Sequence, residues 1–346
     1  MPGGDVTSGT VQIHPTGPLE PEVDVICRIC QTDAPHARFE LRELMFGLPE
    51  HFTYFECGCC GCLQIETVPS DLGRYYSEDY YSLSIPADQY FRNPLRNVAR
   101  RMRCRAGLGQ GNAIGRLLLQ RYPNAALSSL APLQPTAQSR ILDVGCGTGY
   151  LLCQLFDAGI TDVIGIDPFL EKPIAYTNGP RILNVALEAV EGQWDIVMFH
   201  HSFEHVTDPL ETLEACAARL APGGTCVIRI PTVSSYAWRH YKTNWYALDP
   251  PRHITLFSRA GLALLAERTG LFVERVVDDS FAAQFWASEQ YVNDIPLKDD
   301  RSFAVNPQQS IFTEQQIREF RTRAMELNAR GEGDSACFYL YKAAAS

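Results

Sequence analysis

The stretch Arg140–Asp167, RILDVGCGTGYLLCQLFDAGITDVIGID, decides the fold. Ile141, Leu142 and Val144 make a short apolar run suited to a buried strand, and Gly145, Gly147 and Gly149 follow at alternate positions. Leu151, Leu152, Leu155 and Phe156 then recur at helical spacing, and Gly159 closes that helix. Val163, Ile164 and Ile166 predict a second strand that ends on Asp167. Together these make a βαβ unit with a glycine-rich first turn and an acid at the tip of the second strand.

Glycine lets the turn backbone approach a ligand where a Cβ would collide. An acid in the position of Asp167 can accept both hydroxyls of an adenosine ribose. A dinucleotide fold uses the same acid, but its glycines run G-x-G-x-x-G and its helix N-terminus holds a pyrophosphate. Here they run G-x-G-x-G, and Asp143 lies inside the first strand just ahead of them. An acid there would repel a pyrophosphate and suits a cation. The sulfonium and ammonium groups of S-adenosylmethionine therefore fit better than NAD. The stretch resembles motif I of the class I S-adenosylmethionine-dependent methyltransferases, D/E-x-G-x-G-x-G. That resemblance implies a Rossmann-like α/β fold, a seven-stranded sheet with its last strand antiparallel. It also implies a cofactor held by Asp143, Gly145, Cys146, Gly147, Gly149, Asp167 and Pro168, with His200 beside it.

The chain has 346 residues, 46% of them hydrophobic, enough for a sizeable core. A net charge of -10 argues against a general nucleic-acid binder. No apolar run approaches the ~18 residues of a membrane span. Residues 1–22 lack the basic start and apolar run of a signal peptide and read as a disordered leader. A cytoplasmic setting follows, in which the twelve cysteines are thiols or metal ligands and not disulfides.

Residues 23–70 carry two C-x-x-C knuckles around strand-like aromatics, Phe52, Tyr54 and Phe55. Cys27 and Cys30 form the first. Cys57 and Cys60 are the preferred second pair because Gly61 then follows the knuckle, although Cys59 and Cys62 have the same spacing. Four thiolates hold Zn2+ tetrahedrally and leave no open position, so a structural zinc ribbon is expected.

Residues 71–139 form a tyrosine-rich flap and a helical connector. Tyr80 and Tyr81 are the flap residues proposed to reach the substrate, and a packed connector is the competing reading. Arg92, Arg96, Arg100, Arg101, Arg103 and Arg105 lie on a helical pattern from Gln89 to Gln120, read as a solvated face. Residues 123–139 read as a linker.

Residues 140–346 complete the cofactor domain. Arg181–Val185, Trp194–His200, Cys226–Ile230, Phe272–Val277 and Cys337–Tyr341 supply the third to seventh strands. Asp208 and Pro209 start a helix that Pro222-Gly223-Gly224 ends. Residues 278–335 form an insertion with one helix, capped by Thr313 and apolar at Ile317, Phe320, Ala324 and Leu327, a candidate lid or oligomer surface.

Ligands bind at the carboxyl ends of the strands in open α/β sheets, and the fourth strand delivers His200, His201, Glu204 and His205 there. A histidine oriented by a carboxylate suits removal of an acceptor's proton near neutral pH. Tying the next helix to the sheet, or a two-histidine metal site, are the competing readings. Arg252 and His253 in NWYALDPPRHITLFS are candidate substrate contacts, together with His201. From Cys27 to Tyr341 the chain resembles bacterial zinc-ribbon methyltransferases of sugar and glycan pathways, and is similar to the deoxysugar C-methyltransferases. That resemblance implies His205 as base, Glu204 beside it, Tyr80 or Tyr81 in the flap, and a small-molecule acceptor such as a nucleotide sugar. An RNA methyltransferase gripping its substrate with the ribbon, and a non-catalytic cofactor-binding scaffold, are the alternatives.

Overall fold

The computed structural model describes residues 25–76, 94–177 and 179–342. The N-terminal part contributes β1 (Ala37–Arg42), β2 (His51–Glu56) and β3 (Leu63–Ile65), followed by α1 (Pro94–Gly107), α2 (Ala113–Arg121) and α3 (Ala125–Ser128). The cofactor unit follows as β4 (Ile141–Val144), α4 (Tyr150–Ala158), β5 (Val163–Ile166), β6 (Ile174–Ala175) and β7 (Arg181–Leu183). Then come β8 (Trp194–His200), α5 (Pro209–Arg219), β9 (Leu220–Pro231), α6 (Tyr236–Tyr241), β10 (Thr255–Leu256), α7 (Arg259–Arg268) and β11 (Leu271–Asp278). The chain closes with α8 (Ala283–Val292), α9 (Glu314–Arg330) and β12 (Ser335–Lys342).

The main sheet has the order β11-β12-β9-β8-β4-β5-β7-β6. β4 pairs in parallel with β5 and β8, and β12 runs antiparallel to both β9 and β11. The expectation of seven strands is corrected to eight. The extra strand, β6, is a two-residue antiparallel edge, too short to leave an apolar pattern in the sequence. Asp208 caps α5 by accepting the Glu211 amide at 2.9 Å, with Pro209 next in the helix. Pro222-Gly223-Gly224 does not end that helix. α5 stops at Arg219, and the three residues lie in a bulge of β9, where the register passes from Trp194↔Leu220 to Ile196↔Thr225.

A second, antiparallel sheet has the order β1-β2-β3-β10. Its fourth strand comes from the segment after β9, so the cysteine-bearing region is not closed on itself. Cys27, Ile29, Phe55, Cys57 and Cys60 pack in one apolar cluster with Phe257, Leu262 and Leu265 of the cofactor domain.

Two further expectations change. Arg101 and Arg105 are exposed, but Arg100 is not on a free solvated face. Arg100 and Arg101 both reach the buried carboxylate of Asp157 on α4, and Arg105 Nε donates to the Ala158 carbonyl at 3.3 Å. These cations sit at the C-terminal end of α4, where the helix dipole favours them. Residues 123–139 hold α3 and a short 3-10 turn, with Leu127 and Leu130 buried.

Residues 278–335 contain α8 as well as α9. The capping box on Thr313 is present, but the apolar stripe of α9 is covered by its own chain. Ala324 and Leu327 are 2% exposed, and Phe320 stacks on Phe285 with centroids 5.4 Å apart. That stripe is therefore not free to serve as an oligomer surface.

Asp334, just before β12, is buried, and burial pushes its carboxyl up to about 6 despite the bond from Trp245 Nε1 at 3.0 Å. The native chain then holds this proton more tightly than the unfolded chain does. Stability falls as pH rises from about 4 through 6 and stays reduced above. Asp334→Asn is expected to raise stability by roughly 1–3 kcal/mol at pH 7.5 and to give no gain at pH 4, read from thermal midpoints at both.

Candidate functional site

The first turn of the cofactor unit is built by its glycines. Gly145, Gly147 and Gly149 have φ of +71°, +53° and +76°, a region that side chains disfavour. The space is also closed to a larger residue. A Cβ on Gly145 would lie 2.5 Å from Ser202 Cβ, and one on Gly149 would lie 2.3 Å from Ile182 Cδ1. Ser202 is held there because its hydroxyl donates to the Val144 carbonyl at 2.6 Å.

Two acids face this turn. Asp143 is buried, its Oδ1 has no hydrogen-bond partner among the described residues, and burial followed by the nearby Asp167 charge raises its pKa. Asp167 accepts the Gly147 amide on Oδ2 at 2.9 Å and the Phe169 amide on Oδ1 at 3.0 Å. Each oxygen keeps a lone pair for a ribose hydroxyl. His200 ends β8 with both ring nitrogens buried and unpartnered among the described residues. Its burial, then the Arg229 charge, keeps its pKa well below the ordinary range. An unpaired carboxylate oxygen, bare backbone and an unpartnered imidazole fit a cationic, adenosine-bearing cofactor. Cys146 and Pro168 stand at the same turn and strand tip.

Beyond β8 a 3-10 turn over Phe203–His205 carries the next group. Glu204 is sealed from solvent. Burial alone would raise its pKa, but the His201 N–H, then the charges of His205, His201 and His253, hold it at about 2. The expectation that Glu204 orients His205 is corrected by the geometry. The nearest imidazole to Glu204 is His201, with Nδ1 3.3 Å from Oε1, while His253 Nε2 lies at 3.9 Å. His205 is oriented from elsewhere, its Nδ1 lying 2.8 Å from the Arg252 carbonyl and 3.1 Å from the Tyr76 hydroxyl. A carbonyl only accepts, so Nδ1 carries the hydrogen and Nε2 of neutral His205 keeps the lone pair. Burial and the neighbouring His253 lower its pKa, which keeps it neutral.

His201 adopts φ +53°, and its Nε2 meets the Arg229 guanidinium, whose Nε donates to Asp279 at 2.5 Å. It is half-exposed at the strand edge. Arg252, expected to touch substrate, is instead fully buried. Its Nη2 reaches Glu43 and Asp249, both at 2.5 Å, and Nη1 donates to the Tyr75 carbonyl at 3.2 Å. A guanidinium satisfied on every side has nothing left for an acceptor. His253 is also buried, with Nδ1 2.8 Å from the Ala247 carbonyl. It faces the cluster and not open solvent. Tyr80 and Tyr81 lie outside the described residues. Tyr76 was missed, although it belongs to the same tyrosine run; its ring stacks on Phe169 beside Asp167, centroids 6.4 Å apart, and touches His205. Only spacing from the 3-10 turn over Leu72–Tyr75 could have singled it out.

In the cysteine cluster, the ligand atoms of Cys27, Cys30, Cys57 and Cys60 lie within 4.8 Å of one another. The sulfur pairs Cys27–Cys60 and Cys30–Cys57 are 3.6 and 3.5 Å apart, close to the edge of about 3.8 Å expected for a tetrahedron with Zn–S bonds of about 2.3 Å. Backbone amides of Ile29, Cys59 and Cys60 point at the sulfurs, and Gln64 Nε2 reaches Cys27 Sγ at 3.0 Å. Cys59 is exposed, and Cys62 faces Ser258 at 3.7 Å. The four residues fit a structural zinc ion.

Comparison with known proteins agrees with this geometry. Residues 116–276 match the family model described as a methyltransferase domain. Those residues therefore carry an S-adenosylmethionine-dependent methyltransferase domain. More particularly, the chain is 36% identical over 105 residues to the ubiquinone biosynthesis O-methyltransferase of Psychrobacter cryohalolentis, covering 27% of this chain and 40% of that protein. It is 33% identical over 111 residues to the tRNA U34 carboxymethyltransferase of Saccharophagus degradans, covering 29% of this chain and 34% of that protein. The chain thus spans two fifths or less of these curated relatives. A solved S-adenosylmethionine-dependent methyltransferase from Mesorhizobium loti shares 17% identity over 64% of this chain and 99% of that one, with a TM-score of 0.40. No helix among the described residues is long and apolar enough to cross a membrane.

The burial of Arg252 separates a structural role from a substrate contact. Arg252→Met leaves Glu43 and Asp249 as unpaired buried carboxylates, and a loss of about 3–5 kcal/mol in denaturant unfolding is expected. Unchanged stability with a raised KM would assign Arg252 to substrate instead.

Proposed function

We propose that this chain transfers the methyl group of S-adenosylmethionine to a small hydroxylated or keto acceptor, such as a sugar or glycan precursor. The observation that carries this reading is one strand edge holding both halves of the reaction. The glycine turn with Asp143 and Asp167 lies at the end of β4 and β5, and the histidine cluster lies at the end of β8 beside them. In-line displacement needs donor and acceptor close and aligned, and adjacent parallel strands supply that. Asp143, Gly145, Gly147, Gly149 and Asp167 hold the cofactor, with Cys146, Pro168 and His200 lining it. His205 takes the acceptor's proton on Nε2, its tautomer fixed by the Arg252 carbonyl. Glu204, turned toward His201, keeps negative charge near the imidazolium that forms. Tyr76 supports His205 from the flap side, and Tyr80 and Tyr81 remain proposed acceptor contacts. Zinc on Cys27, Cys30, Cys57 and Cys60 braces the sheet that carries β10.

His205→Gln is expected to lower turnover by about 100-fold or more while calorimetric binding of S-adenosylmethionine is kept. Retained turnover would remove the base. In cobalt-loaded protein, Cys60→Ser should abolish the sulfur-to-cobalt charge-transfer band and lower the thermal midpoint. A screen of nucleotide sugars and phenols with labelled cofactor identifies the acceptor. A second reading, a tRNA-acting enzyme, is favoured by the Saccharophagus relative's name alone, and salt-dependent tRNA binding would support it.

A further inference from the structure

Two imidazoles and a carboxylate meet beside the proposed acceptor position with no cation among them. One ligand atom each from Glu204, His205 and His253 lies within 4.8 Å of the other two. His205 Nδ1 and His253 Nδ1 each stand 2.8 Å from a backbone carbonyl, of Arg252 and Ala247. Each Nδ1 is therefore the donor, and Nε2 is the lone-pair nitrogen of each neutral ring. Glu204 is fully buried, and its nearest imidazole nitrogen is His201 Nδ1, 3.3 Å from Oε1. The Arg229 guanidinium can only donate, so His201 Nε2 accepts from it and Nδ1 is the nitrogen turned toward Glu204.

Among the described residues the ion-pair partners of Glu204 are imidazoles and not lysine or arginine, and His253 Nε2 lies 3.9 Å from its Oε1. We propose that Glu204, His205 and His253 form a second metal site, separate from the cysteine cluster, for a divalent transition ion such as Zn2+ or Co2+. Two imidazoles and one carboxylate are a donor set such ions accept with positions left open. Nδ1–H bonds to carbonyls are the outer contacts that orient metal-binding histidines. His253 Nε2 and Glu204 Oε1 are 3.9 Å apart, and an ion about 2.0–2.2 Å from each would draw them to about 3–3.5 Å. Nε2 of His205 is also the atom assigned above to the acceptor's proton. A bound ion and a free base therefore exclude each other, and occupancy inhibits methyl transfer; this consequence, unlike the site, rests on the proposed reaction.

Cobalt titration of the full chain, followed by visible absorption and equilibrium dialysis, tests the site. Two ions per chain are expected, the first with thiolate charge-transfer bands and the second without them. His253→Ala and Glu204→Gln should each lose the second ion and keep the first, whose band reports that the variant is folded. A single ion per chain in the unmodified protein, or a second ion that survives both substitutions, overturns the site. The first result, with the charge on Glu204 met by a protonated histidine, leaves the base assignment standing. Inhibition by the second equivalent supports both readings. Stimulation by it supports the metal site and removes His205 as the free base.

Discussion

Arg252 has no contact with solvent, and its charge is met by two carboxylates, one local and one distant in the chain. Asp249 lies three residues before it, and Glu43 follows β1 in the cysteine-bearing region. Glu43 also accepts the amides of Phe46 and Leu48, so the guanidinium fixes a loop as well as a charge. Its backbone carbonyl sets the tautomer of His205, and its Nη1 holds the carbonyl of Tyr75, next to Tyr76. One buried cation thus joins the second sheet, the start of the flap and the imidazole at the reaction edge. Taking such a charge out of water is costly, and only this full set of partners offsets it.

The reaction edge is organised by a polar chain that runs inward from the start of the insertion. Asp279 holds Arg229, Arg229 holds His201, and His201 turns its Nδ1 toward Glu204. The left-handed backbone at His201 is the local strain that this arrangement tolerates, and such residues gather at functional sites. On the cofactor side the constraint is steric. Ser202 and Ile182 leave no volume for a Cβ, so the backbone itself forms the floor.

The βαβ unit was legible because its signals are local: an apolar run, alternate glycines and an acid at the tip of the next strand. The cysteine spacing likewise pointed to Cys57 and Cys60, the pair the structure brings beside Cys27 and Cys30. What the sequence could not carry were partnerships between distant residues. Nothing near Arg252 names Glu43, which is 209 positions away. The Glu204–His205 adjacency suggested that the acid orients the imidazole, but a 3-10 turn sends neighbouring side chains in different directions, and the contact falls to His201 instead. Arg100 looked solvated because its partner, Asp157, sits on another helix. Two-residue strands such as β6 and β10 leave no periodicity to read.

β10 contributes only Thr255 and Leu256, yet it pairs with β3, and the Ile65 amide donates to the Ile254 carbonyl at 3.0 Å. A chain shortened to begin at the cofactor domain would lose the strand that covers this edge and the apolar wall over Phe257, Leu262 and Leu265. Unpaired strand edges beside exposed apolar surface template association between copies. The thiol-bearing region thus serves its neighbour as a cover over that edge.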